Sequence, residues 1–225
     1  LAGKVYDYHG GLEDLAQGVL RFVGDARTRI REDYLRILRF FRFYAWYGEG
    51  APDATGLAAC SALAQGVESL SAERVSKELL KLLAAPDPRP AVRAMADAGV
   101  LARLLPDHAE PGRFEAMCAI SDDALLRLSA LMPGDAEAVR RISNALRLSN
   151  GQKDRLVRAV GLDPIMTLDM TPKAMRAAVY RQTAQTARDR LMRMWAEAGP
   201  QRGEAAARSL SAVIDGWTPP VMPVS

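Results

Sequence analysis

The stretch REDYLRILRFFRFYAWY, residues 31–47, constrains the fold more than any other part of the chain. A charged side chain recurs at every third position, as Asp33, Arg36, Arg39 and Arg42, and between them lie Leu35, Ile37, Leu38, Phe40, Phe41, Phe43, Tyr44, Trp46 and Tyr47. Positions three apart on an α-helix are turned by about 300°, so such a row drifts by only ~60° per step. On one continuous helix Asp33, Arg36 and Arg39 share a face, while Arg42 falls toward the opposite side. A segment this apolar must be largely buried, and an unpaired ion beside buried surface is costly. Two arrangements satisfy the row. Carboxylates from neighbouring helices pair with it, or it lines a cleft that meets an anionic or base-like ligand. The aromatic residues from Phe40 to Tyr47 read as core, because side chains on all sides of a helix cannot face one base.

The rest of the chain reads as packed helices. A long helix is expected from about Thr28 through Tyr47, ending in the turn-forming GEGAPDATG. A second covers 53–65. A third, SAERVSKELLKLLAA, carries Val75, Leu79, Leu82 and Leu83 on one stripe, with Ser71 as its N-cap and Glu73 against its positive end. The prolines of PDPRP, residues 86–90, stop that helix. Further helices are expected near 89–98, 113–119, 122–131, 135–146, 152–160, 172–180, 183–198 and 202–215. Only LAGKVYDYH, residues 1–9, favours extended structure through Val5, Tyr6 and Tyr8, before Gly10-Gly11 and a short helix. The expected fold is all-α, with a short N-terminal strand remnant.

Several function classes fall away. No apolar run reaches the roughly 18 to 20 residues that span a bilayer, so no membrane partner is expected. Cys60, Cys118, His9 and His108 are the only cysteines and histidines, too few and too scattered for a structural zinc site. Two lone cysteines suit a reducing, cytoplasmic setting. His108 sits in a DH turn and offers no dyad with His9. The net charge is only +3, but arginine far outnumbers lysine, and arginine is favoured where planar, bidentate contact to phosphate or carboxylate matters.

The segment VYDYHGGLEDLAQGVLRFVGDARTRIREDYLRILRFFRF resembles the class II tRNA nucleotidyltransferase and bacterial poly(A) polymerase family. Asp7, Gly10, Gly11, Asp14 and Leu15 match a D-x-x-GG-x-x-DL element. Glu32, Asp33 and Arg36 match EDxxR, which continues as LRxxRF with Arg39, Arg42 and Phe43. Glu73, Arg74, Val75, Glu78 and Leu79 match a later ERhxxEL-like element, and LRLSNGQKDRL is similar to the body region of these enzymes.

The resemblance implies that Asp33 and Arg36 act as a protein template for the incoming base. Cytosine and adenine both present an amino donor beside a ring-nitrogen acceptor; an ionised Asp only accepts and an Arg only donates. Arg39 and Arg42 would help hold the nucleotide and its triphosphate. Glu32, Glu73 and Arg74 would support the motif, and Asp14 would organise the first helix rather than bind Mg²⁺. Arg140, Arg141, Arg147, Lys153, Arg155 and Arg158 are candidates for the backbone of a tRNA partner, with a solvated face as the alternative for each.

The same resemblance divides the chain into a remnant of a catalytic head and hinge (1–10), a nucleotide-selecting neck (11–85), a helical body (86–160) and a tail (161–225). The DxD carboxylates that hold Mg²⁺ in the family, its Gly-Ser segment and its RRDxxxN-like element do not occur before Asp7. The chain by itself is therefore expected to hold no metal and no catalytic residue, and not to add nucleotides. The proline-rich ending is expected to lead into a further helix. The implied function is selection of CTP and ATP for addition to the tRNA 3′ end. Addition of AMP alone to RNA 3′ ends, or a non-catalytic helical interaction module, are the alternatives.

Overall fold

The computed structural model of the chain describes residues 6–106, 108, 111–161 and 166–218. They form helices joined by short turns, with no strand among the described residues. The expected strand remnant falls partly on residues 1–5, outside the described residues, and Tyr6 to His9 are not in a strand. The chain divides into two compact units, 1–107 and 108–225, a coarser division than the four expected segments.

The first unit contains α1 (Gly11–Ala16), α2 (Ala26–Glu32), α3 (Leu35–Tyr47), α4 (Ala54–Ala62), a 3₁₀ turn (Ala64–Ser69), α5 (Ala72–Leu83), α6 (Arg89–Asp97) and α7 (Val100–Leu104). Helix α3 is its centre and packs on α2, α5, α6 and the 3₁₀ turn. Leu35, Ile37, Leu38, Phe40, Phe41 and Tyr44 of α3 are buried. The stripe read from α5 is buried as expected, at Val75, Leu79, Leu82 and Leu83. Ser71 does stand at the N-cap of α5, but its hydroxyl makes no cap hydrogen bond.

The single helix expected over 28–47 is two helices. Asp33 adopts an extended conformation at φ −158° and ψ 108°, which ends α2 and starts α3 afresh. The reason is local. The Asp33 carboxylate accepts a hydrogen bond from the Leu35 amide at 3.0 Å, the kind of side-chain-to-backbone bond that lets Asp replace a helical partner. Tyr34 then packs its ring onto Gly66 of the 3₁₀ turn, where a Cβ atom would lie 2.0 Å from the ring. The aromatic run of α3 is also not uniformly core, since Trp46 and Tyr47 are exposed at its solvent end.

The second unit contains α8 (Pro111–Ile120), α9 (Ala124–Leu131), α10 (Ala136–Ala145), α11 (Asn150–Val160), α12 (Pro172–Arg181), α13 (Ala184–Ala198) and α14 (Pro200–Asp215). Helix α13 is its hub, in contact with α8, α9, α11, α12 and α14. Its helix starts are well capped: Asp123, Asp135, Ser149, Thr171 and Thr183 each accept from first-turn amides, and Ser149 with Gln152 completes a capping box. No helix among the described residues is long and apolar enough to cross a membrane.

Candidate functional site

The break at Asp33 creates the site. Because the chain turns between α2 and α3, Arg29 of α2 and Arg36 and Arg39 of α3 converge on one cavity of about 470 Å³. The segment after α1 supplies Leu20, Arg21, Phe22 and Val23 to the same cavity. Phe22 stacks on Phe40 with centroids 5.4 Å apart and planes 9° apart, and with Phe43 these rings line the cavity. Four guanidiniums therefore stand around an aromatic lining.

Few carboxylates answer them. Glu32 accepts from Nη1 of both Arg29 and Arg36, and the Arg36 contact dominates in holding its carboxyl below the usual range. Asp14 pairs with Arg21 at 2.6 Å. Arg39 has no carboxylate partner among the described residues and lies 5.8 Å from the Phe43 ring centroid. Arg36 uses only Nη1, which also reaches the Arg29 carbonyl at 2.7 Å, so Nε and Nη2 keep their donors.

Asp33 is fixed beside this cavity rather than in its lining. Its Oδ1 accepts from Leu35 N and its Oδ2 from Arg74 Nη2 at 2.8 Å. Burial opposes the charge of this carboxylate, but the Leu35 amide and the Arg74 guanidinium outweigh it and hold the pKa below the ordinary value. A carboxylate offers about four acceptor positions, so two contacts leave it able to accept from a ligand amine. Glu73 sits beside Arg74 in the first turn of α5.

Arg42 is placed differently from the expectation. Its Nε donates to Glu78 of α5 at 2.6 Å, both side chains are mostly buried (16% and 12% exposed), and its guanidinium lies 4.1 Å from the Phe43 centroid. The 100° turn per residue carries it round α3 toward α5 and away from Arg36 and Arg39. It holds α3 to α5 and does not line the cavity.

Asp7 organises the start of α1, whereas the Asp14 carboxylate is engaged by Arg21. Asp7 accepts from the amides of His9, Gly11 and Leu12, which lowers its pKa, Leu12 first. Gly10 supplies the left-handed turn, at φ 73°, that brings those amides round. Among the described residues no three metal-ligating side chains cluster, and the carboxylates beside the cavity are engaged by guanidiniums. This donor set does not fit a divalent cation.

The basic residues expected on an RNA face separate into two kinds. Arg140, Arg141, Arg147 and Arg158 are exposed on α10, the following turn and α11, and Lys153 donates to Asn144 at 3.2 Å. Arg155 is not on that face. It donates to both oxygens of the buried Asp189 at 2.8 and 2.9 Å and to Asp123 at 2.8 Å, locking α11 to α13 and the start of α9. That network raises its pKa, Asp189 first. The sequence reading passed over Arg21, Phe22 and Arg29; the signal was an arginine-aromatic pair in LRFVGD directly before the charged row.

Guanidiniums around phenyl rings, beside a carboxylate held ionised by its own arginine, define a helical module able to take an anionic ligand with a planar ring. A family model described as the probable RNA and SrmB-binding site of polymerase A matches residues 53–110. The human mitochondrial CCA tRNA nucleotidyltransferase 1 is 47% identical over 83 residues, covering 36% of this chain and 19% of that protein. A Streptococcus sanguinis CCA-adding enzyme is 41% identical over 105 residues, covering 47% of this chain and 26% of the enzyme. Among solved structures, the Bacillus stearothermophilus CCA-adding enzyme in complex with CTP shares the fold with a TM-score of 0.67 at 24% identity, over 92% of this chain and 53% of that one. The Thermotoga maritima CCA-adding enzyme complexed with tRNA does so at 0.62 and 18%, over 93% and 54%. The chain is similar in sequence to parts of CCA-adding enzymes and shares the fold of the helical portion of the solved ones. It spans about half the length of the structures it matches.

Proposed function

We propose that the chain is the nucleotide-selecting and RNA-holding portion of a CCA-adding enzyme. Asp33 and Arg36 template CTP and ATP for addition to the tRNA 3′ end. The observation that carries this is the cavity at the α2–α3 break, where Arg36 and the carboxylate-free Arg39 stand over aromatic rings next to a braced Asp33. The Asp33 carboxylate accepts the exocyclic amine of C or A, and the spare Arg36 N–H groups donate to the ring nitrogen. Guanine and uracil reverse that pattern and set donor against donor, a mismatch worth roughly 1–3 kcal/mol. Arg39, with Arg21 and Arg29, holds the phosphates; Arg42, paired with Glu78, serves the framework instead.

The chain itself supplies selection and grip. The Mg²⁺ required for phosphoryl transfer is assigned to a head domain, and the chain alone does not add nucleotides. The exposed arginines of α10 and α11 contribute sequence-independent, salt-sensitive contact with the tRNA backbone.

The test is equilibrium binding of the four nucleoside triphosphates to the chain. CTP and ATP are expected to bind more tightly than GTP and UTP, and Arg36→Lys should narrow the gap because the planar fork is lost. Binding of ATP alone would favour a poly(A) polymerase, the reading that the matched family description favours. No binding of any nucleotide would leave a helical interaction module.

A further inference from the structure

The second unit carries a surface that the nucleotide reading does not use. Helix α12 has the sequence PKAMRAAVYR, with Lys173, Arg176 and Arg181 and no acidic residue. Lys173, Arg176 and Tyr180 recur at the three- and four-residue spacing that places side chains on one helix face. Tyr180 is 53% exposed. Trp217, just beyond α14, lines a shallow, open slot of about 280 Å³ together with Tyr180, Ala177, Arg176 and Arg181.

Three features make this slot more than an exposed aromatic. Trp217 is partly buried against the core cluster that includes Met175, Val179 and Ile214, so its ring is held in place before any ligand arrives. The slot wall is carbon-rich: two aromatic rings, Ala177 and the stems of the arginines. Neither Arg176 nor Arg181 has a carboxylate partner among the described residues, although the neighbouring Arg188 is paired with Asp215. Two guanidiniums without carboxylate partners on the lining of an apolar slot are the complement of a planar ring carried on an anionic chain. An acidic peptide would satisfy the charge but would leave the flat slot poorly filled.

The geometry points to a stacking site for an unpaired nucleobase of RNA, with Tyr180 and Trp217 as its walls and Arg176 and Arg181 on the flanking phosphates. It draws on the proposed function only for RNA as the partner, and it adds a second contact remote in sequence from the cavity at Arg36. Stacking recognises any base by its π-face, so the site selects for an unstacked nucleotide rather than for a sequence.

Two RNA probes of equal length separate this from general backbone attraction: a hairpin with an unpaired loop and a blunt duplex. Tyr180→Ala in the full chain should weaken hairpin binding about tenfold, as loss of one base stack does, and leave duplex binding unchanged. Tyr180→Phe should restore it. Arg176→Ala with Arg181→Ala should weaken both probes and reduce the dependence of log affinity on log salt by about 0.7–0.9 per lost contact. CTP binding, measured in parallel, should be unaffected by all of these changes, so failure of the nucleotide reading is seen separately. Equal hairpin affinity in the wild type and Tyr180→Ala would overturn the stacking site, as would an equal loss on both probes.

Discussion

Arg74 Nη2 donates to Asp33 Oδ2 at 2.8 Å across 41 residues of sequence, and this bond decides where the Asp33 carboxylate points. One Asp33 oxygen is committed to restarting the helix at Leu35 and the other to α5, so the side chain is fixed before a ligand arrives. Arg74→Ala should leave Asp33 held by its Leu35 bond alone, with its second oxygen no longer aimed. Discrimination of CTP from UTP should then fall by about tenfold, the lower part of the range for a lost recognition pair, while overall affinity changes less. Parallel titrations of both nucleotides on wild type and variant measure this, and a uniform loss for CTP and UTP would refute the bracing role.

The same carboxylate gives a pH signature. Its folded pKa is lowered from 3.8 by the Leu35 amide and Arg74 against the opposing effect of burial. Its stabilising contribution is therefore complete above the ordinary carboxylate range and is lost as pH falls through the lower folded value. The stability difference between wild type and Asp33→Asn should be constant near neutral pH and shrink below about pH 4, near the unfolded Asp value. Urea unfolding at neutral pH and near pH 3 gives the comparison; a difference that grows on acidification would contradict it.

Much of this was legible in the sequence, and what was not has a physical cause. The α5 stripe, the α3 core and the helices of the second unit follow from apolar spacing, which is a local property. The break at Asp33 was not readable, because Arg-Glu-Asp-Tyr-Leu-Arg contains no glycine or proline and continues the helical period. The local Asp33–Leu35 bond that opens it is held in place by contacts distant in sequence, Tyr34 with Gly66 and Asp33 with Arg74. The split of the arginine row was half legible: the drift of Arg42 follows from helix geometry, but its partner Glu78 needed the fold. Arg155 failed as a surface residue for a similar reason, since its partner Asp189 lies 34 positions away.

Gly66 tests the origin of that break. A methyl group there would meet the Tyr34 ring at 2.0 Å, too close for any small adjustment. Gly66→Ala should expel Tyr34, loosen the α2–α3 turn and cost roughly 1–3 kcal/mol as overpacking does. Nucleotide binding should weaken with it, although Gly66 lies outside the cavity lining. Paired with Tyr34→Ala, which makes room, the loss of stability should be less than additive.

Arg155 should behave as a framework residue. Asp189 is 1% exposed and depends on Arg155 and Gln185 for its hydrogen bonds. Removing the guanidinium strands a buried carboxylate, so Arg155→Ala should destabilise the chain by about 3 kcal/mol or more. The double change Arg155→Leu with Asp189→Leu should recover much of that, because a buried ion pair gains little over apolar residues of similar size. Recovery on the double change, read by thermal unfolding, separates this from loss of an RNA contact.

Arg147 makes the opposite prediction. It follows α10 in the left-handed conformation, at φ 48°, and is the one non-glycine residue with positive φ among the described residues. The Leu148 amide reaches back to the Ser143 carbonyl and the Arg147 amide to that of Asn144, the pairing of a Schellman cap, which glycine fills without steric cost. A side chain there costs about 1 kcal/mol, so Arg147→Gly should raise stability by that amount and sharpen the α10–α11 turn. If the exposed Arg147 side chain also grips RNA, the same change lowers the salt dependence of tRNA binding by about one contact. Greater stability with weaker, less salt-sensitive binding is the expected pair of results. Greater stability with unchanged binding would remove Arg147 from the RNA face.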